Sequence, residues 1–223
     1  VTTPAILPTQ PKVLVTDFDG TLGRPDYYQL VLKRLVPPGS PSFWDEYRAG
    51  RITHFDALRN YFLAAEGGER AFRGLTDRVT LPDELPALLR RLDDHDWGVV
   101  VVSAGCQWYI DILLERAGVA LPVIANPGSI HDGRLVMERP SPGPFFSHEV
   151  GVNKAAVVRH LCDANRVVAF AGDGYPDFDA SLLVDDSRRF ARSDLAETCR
   201  ARHVPFQEFD DWAEVVESLL DLA

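Results

Sequence analysis

With 223 residues and a formal net charge of −10, this chain lacks the basic footprint that a nucleic-acid backbone or an anionic membrane surface demands, so neither is an expected partner. A local cation can still hold a small phosphate against that field. A hydrophobic content of 46% and a charged content of 25% describe an ordinary globule, long enough for one α/β domain with a smaller insertion. Cys106, Cys162 and Cys199 are widely spaced, form no Cys-x-x-Cys pair and are odd in number, which argues against a disulfide framework.

Residues 1–11 hold Pro4, Pro8 and Pro11 and no basic segment followed by an apolar core, so they read as a flexible lead-in rather than a secretory signal. No apolar run approaches the ~20 residues of a spanning helix, and the expectation is a cytoplasmic protein, monomeric or homodimeric. Strand-like runs follow at Lys12–Asp17, Gly98–Ser103, Leu121–Asn126, Arg166–Gly172 and Leu182–Val184. Helical patterns lie between the later ones at Cys106–Ala117, Asn153–Asp163 and Pro176–Ser181. That alternation predicts βαβ units and a parallel sheet covered on both faces, closed by a short strand at Val204–Phe209 and a helix at Asp211–Leu220.

Between residues 24 and 82 the rhythm breaks. Helical patterns at Asp26–Val36, Ser42–Arg48, Thr53–Ala65 and Glu69–Thr76 are separated by Pro37-Pro38-Gly39 and Gly67-Gly68, and Thr53 to Asp56 has capping-box spacing. This predicts a small helical insertion over 24–82, with the core formed by 12–23 and 83–223. Its aromatic residues serve mostly as its own core, with a few left to line a substrate pocket. Arg48, Arg51 and Arg59 are candidates for contacting a polar tail. Later, Asp132-Gly133 between apolar residues predicts a hairpin over Ile130–Leu135, and Pro140–Pro144 an extended loop.

Four separated stretches carry chemistry. The apolar run Val13-Leu14-Val15 ends in Asp17-Phe18-Asp19-Gly20-Thr21, placing two carboxylates at a strand's carboxyl end, where open α/β sheets bind ligands. Asp17 suits a nucleophile that attacks phosphorus, and Asp19 an acid that protonates the leaving oxygen and then activates water. Val99–Val102 runs into Ser103-Ala104-Gly105, where small residues let the backbone approach an anion and the serine donates its O–H; a plain helix N-cap is the competing reading. Lys154 is one of three lysines among twenty-three basic residues and opens a helix against its macrodipole, a placement that costs energy unless the charge has a partner. Val167–Ala171 ends in Gly172-Asp173-Gly174-Tyr175-Pro176-Asp177, where Asp173 suits a second Mg²⁺ carboxylate and Asp177 an outer position that orients a metal-bound water or Lys154. One divalent cation and one ammonium would cancel the repulsion between Asp17 and a phosphate dianion.

These stretches resemble the four motifs of the haloacid dehalogenase superfamily of phosphatases: Asp17–Thr21 the first, Ser103 the second, Lys154 the third and Gly172–Asp177 the fourth. The resemblance implies an α/β fold, a Rossmann-like parallel sheet with a small helical cap inserted after the first strand. It implies Mg²⁺ held by Asp17, Asp173 and the backbone carbonyl of Asp19, phosphate bound by Ser103, Ala104 and Lys154, and Asp177 in support. The position and length of the cap resemble phosphoserine phosphatases. Asp26 falls where those enzymes carry an acidic cap-entry residue, and Tyr61 where they carry an arginine for the substrate carboxylate. The stretches Phe190-Ala191-Arg192 to Pro205-Phe206 and Arg51-Ile52-Thr53 are more similar to methionine-salvage phosphatases acting on 2-hydroxy-3-keto-5-methylthiopentenyl-1-phosphate. The implied activity is Mg²⁺-dependent hydrolysis of a small phosphorylated metabolite through an aspartyl-phosphate. The alternatives are phosphoserine hydrolysis, transfer of the phosphoryl group to a second alcohol, and a phosphate-binding module without turnover.

Overall fold

Apolar and β-branched runs set the sheet, and the chain order sets its topology. In a computed structural model that describes residues 7–222, β1 (Lys12–Thr16) is followed by helices α1 (Tyr27–Arg34), α2 (Phe43–Arg48), α3 (His54–Ala64), α4 (Gly68–Thr76) and α5 (Leu85–Asp93). Next come β2 (Trp97–Cys106), α6 (Gln107–Arg116), β3 (Val123–Asn126), a hairpin of β4 (Gly128–His131) and β5 (Arg134–Met137), and a small pair, β6 (Phe146–Ser147) and β7 (Gly151–Val152). The chain ends with α7 (Lys154–Asp163), β8 (Val167–Gly172), α8 (Phe178–Ser181), β9 (Arg189–Ala191), α9 (Ser193–Ala201), β10 (Gln207–Glu208) and α10 (Trp212–Asp221).

Six strands form one parallel sheet in the order β10-β9-β8-β1-β2-β3. Successive side chains point to opposite faces, so Leu14, Val99, Val101, Ala169 and Ala171 join one core with residues of α5, α6 and α10. Val13, Val15, Val100, Val102, Val168 and Phe170 join a second core with α7 and α9. A sheet buried on both faces reads as the continuous apolar runs seen in the sequence. β1 lies at the centre with Thr16 opposite both Val101 and Ala171. The chain winds from β1 outward through β2 and β3, then returns to build β8, β9 and β10 on the other side. The carboxyl ends of β1 and β8 therefore flank the switch point where such sheets bind ligands.

The insertion is helical as expected. Ser42 and Asp26 cap α2 and α1 by accepting from Asp45 N and Gln29 N, and Thr53 and Asp56 form the capping box of α3. Entry and exit pair with each other: Arg24 N–H donates to the Thr80 carbonyl (2.9 Å) and Thr80 N–H to the Arg24 carbonyl (2.6 Å). The hairpin packs on the insertion, with Arg134 donating to the Ala65 carbonyl (3.3 Å).

Several elements differ from expectation. Leu182–Val184 is a turn after α8, and Leu182 is 44% exposed. The strand is instead β9, whose Arg189 is buried and donates to the carbonyls of Ser181 (2.8 Å) and Val184 (2.9 Å), winding that turn around its guanidinium. Within Val204–Phe209 only Gln207–Glu208 pairs as strand. β2 continues three residues past Ser103. α5 is an additional helix, and its Pro86 sits in the first turn where a missing N–H costs nothing. Of the expected flexible lead-in, residues 1–6 lie outside the described residues, while the carbonyls of Thr9 and Gln10 accept from Arg166 (2.6 and 2.8 Å).

Candidate active site

The first carboxylate is fixed by the sheet itself. Asp17 N–H donates to the Ala171 carbonyl (2.8 Å), extending the β1–β8 ladder one residue beyond the strand. Its side chain is buried and accepts from Lys154 Nζ at 2.5 Å, and Lys154 also donates to Asp177 Oδ1 at 2.5 Å. The lysine sits at the first position of α7, and its side chain is only 4% exposed. Asp177 uses its other oxygen to accept the N–H groups of Asp173 (3.0 Å) and Gly174 (2.9 Å). Both of its oxygens are thereby committed, so Asp177 organises Lys154 and the turn that presents Asp173. Asp17, Asp173 and Asp177 bring carboxylate oxygens within 4.8 Å of one another. Two glycines make that convergence possible. A Cβ on Gly20, whose φ is +76°, would lie 2.1 Å from Asp173 Oδ2, and one on Gly172 would lie 2.6 Å from Asp177 Oδ2.

Asp19 occupies the opposite side. Oδ1 accepts the Tyr27 N–H at the start of α1 (2.9 Å), and Oδ2 accepts the phenol of Tyr109 on α6. Thr21 Oγ1 lies 3.4 Å from both Asp17 Oδ2 and Asp173 Oδ1, bridging the acid pair while holding the turn. Ser103 is buried, and its hydroxyl oxygen accepts the Gly105 N–H (2.9 Å); Cys106, not Ser103, is the N-cap of α6. The Ala104 carbonyl accepts from Asn126 (2.7 Å), which also donates to Val150 (3.1 Å) and so ties β2 to the segment leading into Lys154.

The electrostatics are those of an acid cluster short of positive charge. Burial raises Asp17 to about 6 against the pull of Lys154. Burial and the charges of Asp17 and Asp177 push Asp173 up to about 9. Burial, then the Asp26 charge, holds Asp19 well above its usual range. Burial works against the Lys154 ammonium, but the charges of Asp17 and Asp177 outweigh it and hold its pKa above the ordinary lysine value. Hard oxygen donors converging with one ammonium too few suit a Mg²⁺ ion, which takes one or two carboxylates and leaves its other positions to water and phosphate.

A sequence profile of haloacid dehalogenase-like hydrolases matches residues 14–181, from β1 through α8. The chain belongs to the haloacid dehalogenase-like hydrolase family. Among its relatives is a 2-hydroxy-3-keto-5-methylthiopentenyl-1-phosphate phosphatase of Lysinibacillus sphaericus, 23% identical over 94% of this chain and 95% of that protein. A protein of the same name from Bacillus velezensis is 24% identical over 95% of this chain and 92% of its own length. Among solved structures, phosphoserine phosphatase from T. onnurineus superposes with a TM-score of 0.64 at 18% identity, covering 95% of this chain and 96% of that one. A phospho-aspartyl intermediate analogue of phosphoserine phosphatase gives 0.63 at 16% identity over 94% and 99%. The parallel-sheet fold is thus the one the haloacid dehalogenase resemblance implied.

Of the specificity candidates, Tyr61 is buried within an aromatic group on the insertion, and Asp26 caps α1 one residue before the Tyr27 N–H that reaches Asp19. Arg48 and Arg51 are not brought to the site: both are exposed and paired with Asp45 and with Glu46 (2.5 Å), respectively. Arg59 sits two positions from Tyr61 on α3, roughly 200° around the helix and on its opposite side. The sequence did not point to Tyr109 or Asn126 as neighbours of the site. Tyr109 falls six residues after Ser103, on the first turn of a helix opening at the same sheet edge, which was its one available signal.

Proposed function

We propose that this family member is a Mg²⁺-dependent phosphatase that hydrolyses a small-molecule phosphomonoester through an aspartyl-phosphate on Asp17. The observation that carries the reading is the buried Lys154 ammonium held between Asp17 and Asp177 beside Asp173. Asp17, Asp173 and the Asp19 carbonyl would hold the ion, which neutralises phosphate charge as the phosphoryl group transfers. Lys154 and the Ser103 hydroxyl bind the phosphoryl oxygens, with the Ala104 backbone alongside. Asp17 Oδ attacks phosphorus and the ester oxygen departs with a proton from Asp19. Asp19, now a carboxylate, then takes a proton from the water that cleaves the acyl-phosphate. The helices of 24–82 act as a cap that excludes water during the first half-reaction.

Phosphate release from p-nitrophenyl phosphate and alkyl phosphates tests this directly. Mg²⁺ should support turnover, EDTA should stop it and re-added Mg²⁺ restore it; undiminished metal-free turnover would remove the ion from the reading. Asp19→Asn should slow alkyl phosphates by about 10²–10⁴-fold, the span of general acid catalysis, and p-nitrophenyl phosphate far less, because nitrophenolate needs no proton to leave. An equal loss on both esters contradicts the acid role.

Metal linkage gives a second check. Asp17 and Asp173 bind protons more tightly folded than unfolded, where carboxyls titrate near their ordinary value of about 3.9. Their contribution favours the metal-free fold below about pH 4 and is lost as pH rises through about 6 and then about 9. Mg²⁺ needs the deprotonated acids, so the thermal stabilisation it confers should widen across the same interval. A Mg²⁺-induced Tm shift that stays flat from pH 5 to pH 9 would contradict the carboxylate assignment.

A further inference from the structure

The Asp19 carboxyl is held at both oxygens by two tyrosines that stack on each other. Oδ1 accepts the N–H of Tyr27, the first residue of α1 (2.9 Å), and Oδ2 accepts the phenol of Tyr109 on α6. The two rings lie nearly face to face, with centroids 4.1 Å apart and 21° between their planes. Phe18, which separates Asp17 from Asp19, and Phe62 of α3 close on the Tyr109 ring at 6.3 and 6.5 Å. Both tyrosines are fully buried, and the Tyr27 hydroxyl is engaged elsewhere, donating to the Phe72 carbonyl (2.9 Å). The Tyr109 phenol is therefore carried to Asp19 on a packed wall of rings that fixes where its oxygen lies.

Packing accounts for the Tyr109 ring but not for its hydroxyl, which a phenylalanine would lack at no loss of contact. A buried phenol needs a hydrogen-bond partner, and this one has two: it accepts the Cys106 N–H (3.3 Å) and donates to Asp19. Gly105 clears the space for it. A Cβ there would lie 2.1 Å from the Tyr109 oxygen, 2.8 Å from Asp19 Oδ2 and 3.1 Å from Ser103 Oγ. Gly105 is not in the left-handed region, so close approach rather than backbone conformation is what excludes a side chain. The phenol thus meets the acid on the side that faces the serine assigned to the phosphoryl group. A carboxyl turns readily about its Cβ–Cγ bond, and one donor at Oδ1 leaves that rotation open. A second donor at Oδ2 closes it. The orientation matters because an acid must meet the leaving oxygen within hydrogen-bond reach, and a displacement of about 1 Å costs on the order of 10²-fold in rate.

We infer that Tyr109 is a positioning residue for proton delivery: its hydroxyl fixes the Asp19 carboxyl in the orientation that reaches the leaving oxygen, and Gly105 makes room for that contact. The inference rests on the phosphatase reading and adds a residue to it. Asp19 gives its proton to the ester oxygen, and the phenol keeps its own. The test measures kcat/KM of the full chain with Mg²⁺ on an alkyl phosphate and on p-nitrophenyl phosphate, since kcat/KM reports the half-reaction in which the ester oxygen departs. Tyr109→Phe, with its fold checked by a thermal melt, should lower the alkyl-to-nitrophenyl ratio by about 10- to 100-fold, because nitrophenolate leaves without a proton. In an Asp19→Asn background the same substitution should change neither rate further, as a residue that acts through Asp19 requires. A purely structural hydroxyl would slow both esters alike and would add its loss to that of Asp19→Asn. Should the Phe variant not fold, Gly105→Ala tests the same contact with the tyrosine retained, and the ratio should fall likewise. A wild-type ratio in a folded variant, or losses that multiply in the double variant, overturns the inference while wild-type turnover of both esters keeps the phosphatase reading. Wild-type protein that releases phosphate from neither ester overturns both.

Discussion

Asp17→Asn is expected to reduce turnover by on the order of 10⁴-fold or more, the loss seen when a member of a covalent catalytic set is removed. An amide cannot replace the carboxylate in attack on phosphorus, and in the proposed site the neighbouring acids are otherwise engaged, Asp173 as the second carboxylate on the ion. Asp177 has both oxygens committed to Lys154 and to backbone N–H groups, and Asp19 is turned towards Tyr27 and Tyr109. The fold should survive, because Lys154 keeps Asp177 as a partner and the substitution removes a carboxyl whose ionisation burial opposes. Single-turnover phosphate release and a thermal melt on the same preparation check both halves. Turnover within tenfold of wild type would remove Asp17 as the nucleophile.

Lys154→Met should damage stability as well as chemistry. The side chain is 4% exposed and its ammonium serves two carboxylates at 2.5 Å, so its removal leaves Asp17 and Asp177 facing each other without their counter-ion, beside Asp173. Breaking a buried pair in this way costs about 3–5 kcal/mol of folding free energy. Urea unfolding at pH 8 without Mg²⁺ should show the larger loss, while at pH 5 it should shrink as Asp17, raised to about 6, takes up a proton. Lys154→Arg is not expected to rescue turnover, since a planar fork does not replace a point charge wedged between two acids. An unfolding midpoint at pH 8 equal to that of wild type would show that the buried pair contributes nothing net.

The sheet and the converging acids were legible because each strand that feeds the site ends an apolar run in a polar or glycine-rich turn. Val13–Val15 before Asp17 and Val167–Ala171 before Gly172-Asp173 are local patterns that a fully buried parallel sheet produces directly. β9 was not legible. It has three residues, one of them an arginine, and its burial depends on carbonyls of Ser181, Val184 and Pro205 that only the folded chain supplies. Leu182-Leu183-Val184 carried the stronger strand signal, yet tertiary packing made it the turn around that arginine. The Tyr109–Asp19 contact spans 90 residues and has no spacing rule. The positions of Arg48 and Arg51 had a local signal in Asp45 and Glu46, three and five residues upstream, whose carboxylates claim both guanidinium groups before any ligand arrives. Asp26 and Tyr61 were placed on the insertion by pattern, but their neighbours required coordinates.

Asp19 differs from the other acids in one respect: a backbone donor of α1 is among its partners, whereas Asp17, Asp173 and Asp177 are held by β8, Lys154 and the turn after β8. The chain enters and leaves the insertion that carries α1 side by side, through the two-rung ladder of Arg24 and Thr80, and Arg116 of α6 ties the insertion to the core by donating to the carbonyls of Thr76 (2.7 Å) and Val79 (3.0 Å). Asp19 is thereby held between the insertion, through the Tyr27 N–H, and the core, through the Tyr109 phenol of α6. Under the proposed mechanism, any displacement of α1 changes the hydrogen bonds of the proposed acid and leaves those of the proposed nucleophile untouched.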